Sequence, residues 1–114
     1  MRRGEVWWGG ARLQSGSRKR RPFLVVSADI FNANPRYPKV MVVVLTTTPR
    51  STIPDWEVDL PRGSARLAYA SIAKCSEVYT IGKDALDELA GMLTADQMKR
   101  VDAALATAFN LWAP

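Results

Sequence analysis

The stretch SGSRKRRPFLVV, residues 15–26, sets Arg18, Lys19, Arg20 and Arg21 side by side and parts them from an apolar run by Pro22 alone. A proline pushes the residue before it toward extended backbone, so Arg21 marks the point where a loop becomes a strand. A guanidinium there is held by a sheet yet faces a loop. That is a good place to bind phosphate, because arginine offers a planar fork of donors matched to phosphate oxygens. A second polar cluster closes another apolar run: Thr46, Thr47 and Thr48 end the stretch VMVVVLTTT and precede Pro49 and Arg50. If the two runs are antiparallel neighbours, the start of one lies beside the end of the other, and Arg21 and Thr46 come together. Judged by composition alone, threonines and an Arg-Pro pair are ordinary at strand ends, and a catalytic role is the minority reading.

What the chain lacks narrows the chemistry further. It has no histidine, which removes histidine-paired ribonuclease chemistry, Ser-His-Asp triads and most zinc sites. Cys75 is the only cysteine, so no intramolecular disulfide forms, and without a histidine to activate it a buried structural thiol is the better reading. No metal site and no cofactor are expected, which leaves Arg, Lys, Thr, Ser, Tyr, Asp and Glu to do any catalysis. The 16 basic and 11 acidic residues give a net charge of +5, unevenly spread. Residues 1–22 hold seven basic residues against Glu5 alone, whereas residues 83–114 hold Lys83, Lys99 and Arg100 against five carboxylates. Such asymmetry points to one face that meets phosphates. With no apolar run near 20 residues and no apolar segment behind the basic N-terminus, neither a membrane span nor a secretory signal is expected, and the expectation is a cytoplasmic protein.

The elements that must position these residues can be read from the pattern. Residues 1–114 suit a single domain. Glu5 to Trp8 opens a sheet, with Val6 and Trp8 on one face and Glu5 and Trp7 on the other. Phe23 to Ser27 is a strand buried on both faces, and one helical turn is expected around Asp29 to Asn32. Val40 to Thr46 is the strongest strand. Trp56 to Leu60 alternates, so Trp56, Val58 and Leu60 should face a core and Glu57 and Asp59 water. Two further short strands are expected at Ala68 to Cys75 and Glu77 to Ile81, and a short helix over Asp84 to Leu89. Thr94 and Gln97 form a capping box flanked by the apolar pair Leu93 and Met98. A helix then runs from 95 to 111, its apolar stripe made by Met98, Val101, Leu105, Ala108 and Trp112. The class is α+β: a compact antiparallel barrel or strongly bent sheet with a C-terminal amphipathic helix.

The succession Arg3-Gly4-Glu5-Val6-Trp7-Trp8, Gly16-Ser17, Arg21-Pro22, Leu24-Val25-Val26-Ser27 and Val43-Val44-Leu45-Thr46-Thr47 resembles the MazF/PemK family of toxin endoribonucleases. Ser71 to Lys83 resembles a further segment of that family, as do Gly91-Met92-Leu93-Thr94 and the closing helix. The likeness covers nearly the whole chain. It implies a small SH3-like barrel with a C-terminal helix, a homodimer, and metal-independent cleavage of single-stranded RNA, mRNA included, at short sequences. It also implies an acidic antitoxin whose flexible tail covers the RNA groove. The family's catalytic arginine and threonine carry over to Arg21 and Thr46. Ser17, Arg18, Lys19, Arg20, Thr47, Thr48, Arg50, Ser71, Glu77 and Tyr79 are the expected RNA-binding residues. Two departures, Glu77 where the family usually has Gln and Tyr79 where it usually has Arg, bear on the cleavage sequence more than on the activity.

On this reading Arg18, Lys19 and Arg20 gather backbone phosphates and Arg21 acts on the scissile one. Trp7, Trp8, Phe31, Tyr37 and Tyr79 are the aromatics available for stacking on unpaired bases, Tyr79 the favoured one. Two other classes stay open at this point: a gyrase-poisoning toxin like CcdB, whose Trp-Gly-Ile tail Trp112-Ala113-Pro114 does not reproduce, and an RNA-binding barrel that does not cut.

Overall fold

A computed structural model of the chain describes residues 1–11, 19–47 and 52–111. The order of elements is β1 (Glu5–Gly9), β2 (Arg21–Val25), a single helical turn α1 (Asp29–Asn32), β3 (Lys39–Thr46), β4 (Glu57–Leu60), β5 (Ser71–Gly82), β6 (Leu86–Met92) and α2 (Ala95–Phe109). Short 3-10 turns at Ser64–Arg66 and Lys83–Ala85 precede β5 and β6. All strands pair antiparallel in one sheet of order β4-β5-β3-β2-β1-β6. The expected barrel closure is not found among the described residues: β4 and β6 end the sheet and are not paired to each other. Instead α2 packs on β4 and β5, and the Ser64–Arg66 turn packs on β6.

β3 and β2 are the middle of this sheet because their valines, leucine and phenylalanine can be buried from both sides. Alternate residues feed two apolar clusters. Val6, Leu24, Val43 and Leu45 face the first, which Val58, Leu60, Ala73, Cys75, Leu93, Val101 and Ala104 complete. Phe23, Val25, Val40, Val42 and Val44 face the second, together with Leu86 and the flanks of Trp7 and Tyr79. The split of β1 follows the alternation: Trp8 packs on the first cluster and Trp7 on the second, where the Trp7 indole donates to the buried Glu5 carboxylate at 3.1 Å.

Several expectations are corrected. The two short strands at 68–75 and 77–81 are one strand, β5, which bends: Val43 pairs with Val78 and Leu45 with Ala73, so Lys74 to Glu77 stand against Val44 alone. A strong bulge of this kind bends a sheet without breaking it. In place of the helix expected over Asp84 to Leu89, the 3-10 turn Lys83–Ala85 leads into β6, whose pairing with β1 (Trp7 opposite Leu89, Trp8 opposite Glu88) overrides a weak local helix preference. β4 begins at Glu57, so Trp56 precedes the ladder and is 44% exposed while Glu57 is buried; Val58 and Leu60 are buried as expected. Helix α2 stops at Phe109, where Asn110 takes a left-handed cap (φ 56°), and its buried line is Val101 and Ala104 with Leu105 half-buried; Ala108 is exposed.

The start of α2 is as the sequence reads. The Gln97 amide donates to Thr94 Oγ1 at 3.1 Å, and the Thr94 amide donates to Gln97 Oε1 at 2.9 Å. Leu93 and Met98 both pack on the first cluster.

Cys75 is fully buried in the first cluster. Burial pushes its thiol up to about 11, with the carboxylates of Glu57 and Asp102 adding to the effect. The folded state therefore favours the neutral thiol over the thiolate. Its contribution is complete below the ordinary value of 9.0 and is lost as pH rises toward 11. Iodoacetamide at pH 8 is expected to leave the native protein unlabelled and to label it on unfolding; native labelling at the unfolded rate would contradict this burial.

Candidate active site

The open ends of the central strands make the site. β1 and β2 pair Gly9 with Arg21 and Trp8 with Pro22. The β2–β3 register sets Phe23 opposite Val44, and carrying it outward places Arg21 opposite Thr46. Thr46 in turn faces Ile72 on β5. Arg21 and Thr46 thus share the last row of the sheet, where β2 begins and β3 ends, as the antiparallel argument from sequence requires. The row behind it runs through Trp8, Pro22 and Leu45.

Over these rows lies a groove of about 420 Å³, within the roughly 300–1,000 Å³ of small-molecule clefts. It is lined by Lys19, Arg20, Arg21, Thr46 and Thr47, by the apolar Trp8, Pro22, Val44 and Leu45, and by Leu67, Ala68, Tyr69 and Ser71. Arg21 is half-buried and its Nε donates to the Lys19 carbonyl at 3.2 Å, a contact that steadies the guanidinium at the loop-to-strand junction. Thr46 is likewise half-buried, and Thr47 beside it is exposed. The lining offers a positive charge and hydroxyl donors beside apolar side chains, which suits a phosphate with an attached ring.

The other expected residues divide. Lys19, Arg20, Thr47 and Ser71 line the groove with Arg21 and Thr46. Glu77 and Tyr79 are not in its lining: they lie past the bend of β5, where Tyr79 pairs with Val42, packs on the second cluster and donates its hydroxyl to Glu77 at 3.4 Å. Glu77 also pairs with Lys74 at 3.1 Å. Phe31 and Tyr37 pack against each other, ring centroids 5.0 Å apart, rather than at the groove. Ser17, Arg18, Thr48, Arg50 and Trp112 lie outside the described residues.

Arg20 differs from the free cation that the sequence leads one to expect. Its Nη1 donates to both oxygens of Asp87, at 2.6 and 2.8 Å, and its Nη2 donates to Glu88 at 2.8 Å. Asp87 first, then Glu88, holds this guanidinium more firmly protonated than usual. A phosphate that reaches Arg20 has to displace two carboxylates of β6. Sequence reasoning did not find these partners, because it read residues 84–89 as a helix. It also missed Tyr69, having placed 68–75 in a strand; Tyr69 precedes β5, which begins at Ser71, and sits between Ala68 and Ala70.

Among the described residues no three Cys, Asp or Glu side chains converge as metal ligands would. The pattern of the PemK-like, MazF-like toxins matches residues 2–109. The chain is 31% identical over 111 residues to endoribonuclease MazF6 of Mycobacterium tuberculosis, covering 96% of each protein. It is 35% identical over 91 residues to endoribonuclease MazF4 of the same organism, covering 80% of each. A solved mycobacterial endoribonuclease, crystallised with its cognate antitoxin, superposes with a TM-score of 0.82 at 29% identity, covering 100% of this chain and 99% of that one. With the strand-end groove in place and the match running through every strand and into α2, the chain belongs to the PemK-like, MazF-like toxins of type II toxin-antitoxin systems.

Proposed function

We infer that this toxin endoribonuclease cuts single-stranded RNA in the strand-end groove, with Arg21 and Thr46 as its catalytic pair and without a metal ion. The observation that carries the assignment is their shared row at the mouth of the groove. The 2′-OH of the nucleotide attacks the adjacent phosphorus, its proton leaves, the bond from phosphorus to the 5′ oxygen breaks, and that oxygen takes up a proton. The products are a 2′,3′-cyclic phosphate and a 5′-OH. Charge builds on the non-bridging oxygens as the phosphorane forms, and the Arg21 guanidinium with the Thr46 hydroxyl is positioned to hold it. Arginine is a poor proton carrier because its pKa exceeds about 12, so charge stabilisation is its principal role. Lys19 and Thr47 extend the phosphate track along the groove, with Ser71 also in its lining.

Similarity to the antitoxin-bound mycobacterial enzyme supports an acidic antitoxin as the partner that covers this groove. We take the active unit to be a homodimer of a single-domain chain in the cytoplasm, and the bent sheet to be an SH3-like barrel left open between β4 and β6. The test uses pure protein and single-stranded RNA in excess EDTA. Cleavage is expected to persist, with cyclic phosphate and 5′-OH ends, and RNA with a 2′-deoxy at the cleaved nucleotide is expected to bind and stay intact. Loss of cleavage on chelation with recovery on adding Mg²⁺ would overturn the mechanism, and binding without any cleavage would make the chain an RNA-binding module.

A further inference from the structure

The segment that brings Leu67, Ala68 and Tyr69 to the groove is built in a way that a passive loop does not need. Between β4 and β5 the chain takes two consecutive left-handed residues that are not glycine, Ala65 (φ 49°) and Arg66 (φ 63°). Such backbone persists only where the surroundings hold it, and it concentrates at ligand sites. The holding contacts are many. Ala65 and Leu67 are buried in the first cluster. The Gly63 amide donates to the Leu67 carbonyl at 2.9 Å. Ser64 Oγ donates to the Pro61 carbonyl at 2.7 Å and accepts from the Gln97 side chain of α2 at 2.9 Å. On the β6 side, Gly91 lets the turn approach: a Cβ there would sit 2.5 Å from the Ala65 carbonyl oxygen, so any side chain would push the turn away.

This rigid seat carries Tyr69 to the groove. Its backbone carbonyl accepts from Ser71 Oγ at 3.1 Å, while its ring is 72% exposed and lines the groove that holds Arg21 and Thr46. Single exposed aromatics are common on protein surfaces. Here the ring lines the same groove as Arg21 and Thr46, two residues beyond the buried Leu67 that ends the strained and buttressed turn. An aromatic face in that position is a stacking platform for an unpaired base, and fixing it beforehand removes the entropy of ordering it on binding.

We propose that Tyr69 is a base-binding residue: a nucleobase next to the scissile phosphate stacks on its ring, so that the Ser64–Arg66 turn sets the position of the base relative to Arg21. This rests on the reading of the groove as the RNA-cutting site. Because the ring is exposed, Tyr69→Ala leaves the core intact. The probes are a single-stranded RNA oligonucleotide containing the mapped cleavage site, its 2′-deoxy analogue for binding, and versions of both with an abasic nucleotide on either side of the scissile bond. Tyr69→Ala is expected to weaken binding of the base-bearing RNA roughly 5- to 150-fold, and Tyr69→Phe to bind as wild type. At one of the two flanking positions, an abasic nucleotide should cost the wild type the same factor and Tyr69→Ala nothing more. The proposal is overturned if Tyr69→Ala binds the base-bearing RNA as wild type does, or if its loss is equally large on both abasic RNAs. If Arg21→Ala also cuts normally, the groove itself is misassigned; if Arg21→Ala is dead while Tyr69→Ala matches wild type, only the stacking platform falls.

Discussion

Arg21→Ala is expected to cut RNA on the order of 10² to 10³ more slowly than the wild type, the usual cost of losing one preorganised charge-stabilising donor, while melting at the wild-type temperature. The second half of that statement follows from where Arg21 sits. Its backbone belongs to the β1–β2 ladder opposite Gly9 and is untouched by truncation. Its side chain is only half-buried and belongs to neither apolar cluster. Thr46→Val asks the same question of the hydroxyl, since valine keeps the β-branched shape that suits the end of β3. It too should slow cleavage clearly with little change in melting. Single-turnover cleavage and thermal melting of the same preparations decide the matter. Two variants that fold and cut at wild-type rates would move the chemistry elsewhere, and two that unfold would make the pair structural.

The largest effect on stability is expected two residues further along the same strand face. Phe23 is fully buried, with Trp7 opposite it on β1 and Val44 on β3, inside the cluster that includes Val25, Val42 and Leu86. Phe23→Ala should destabilise the fold by about 3–5 kcal/mol, from lost transfer energy and the cavity left behind. That is a large share of the roughly 5–15 kcal/mol that holds a typical domain folded. In urea the midpoint should fall while the slope stays at the wild-type value. Residual cleavage should track the folded fraction, in contrast to Arg21→Ala, where protein that is fully folded cuts slowly. A midpoint equal to the wild type's would mean that this face of the sheet is not packed as described.

The juxtaposition of Arg21 and Thr46 was legible in the sequence because it depends on few steps: a proline that fixes where β2 begins, a valine run that fixes where β3 ends, and antiparallel pairing that joins them. The capping box of α2 was legible for a similar reason, since Thr94 and Gln97 satisfy each other's backbone within one turn. What failed depended on partners far along the chain. Residues 86–89 become part of β6 only because β1 lies beside them, and nothing local records that pairing. The bend of β5 belongs to its register against β3, so Glu77 and Tyr79 could not be placed relative to the groove. The commitment of Arg20 to Asp87 and Glu88 spans 67 and 68 residues and was invisible for the same reason.

The seat of β1 between β2 and β6 also bears on how the chain is born. A ribosome delivers β1 first, yet one of its edges stays bare until β6 emerges. The first apolar cluster stays open until Leu93, Val101 and Ala104 follow. Pairings between such distant segments form late and slowly. The groove draws Trp8, Arg21, Thr46 and Tyr69 from well-separated parts of the chain, so no partial chain that ends before β5 contains it. A nascent copy therefore has no complete groove until β5 has begun to emerge, and the first apolar cluster closes only once α2 has followed.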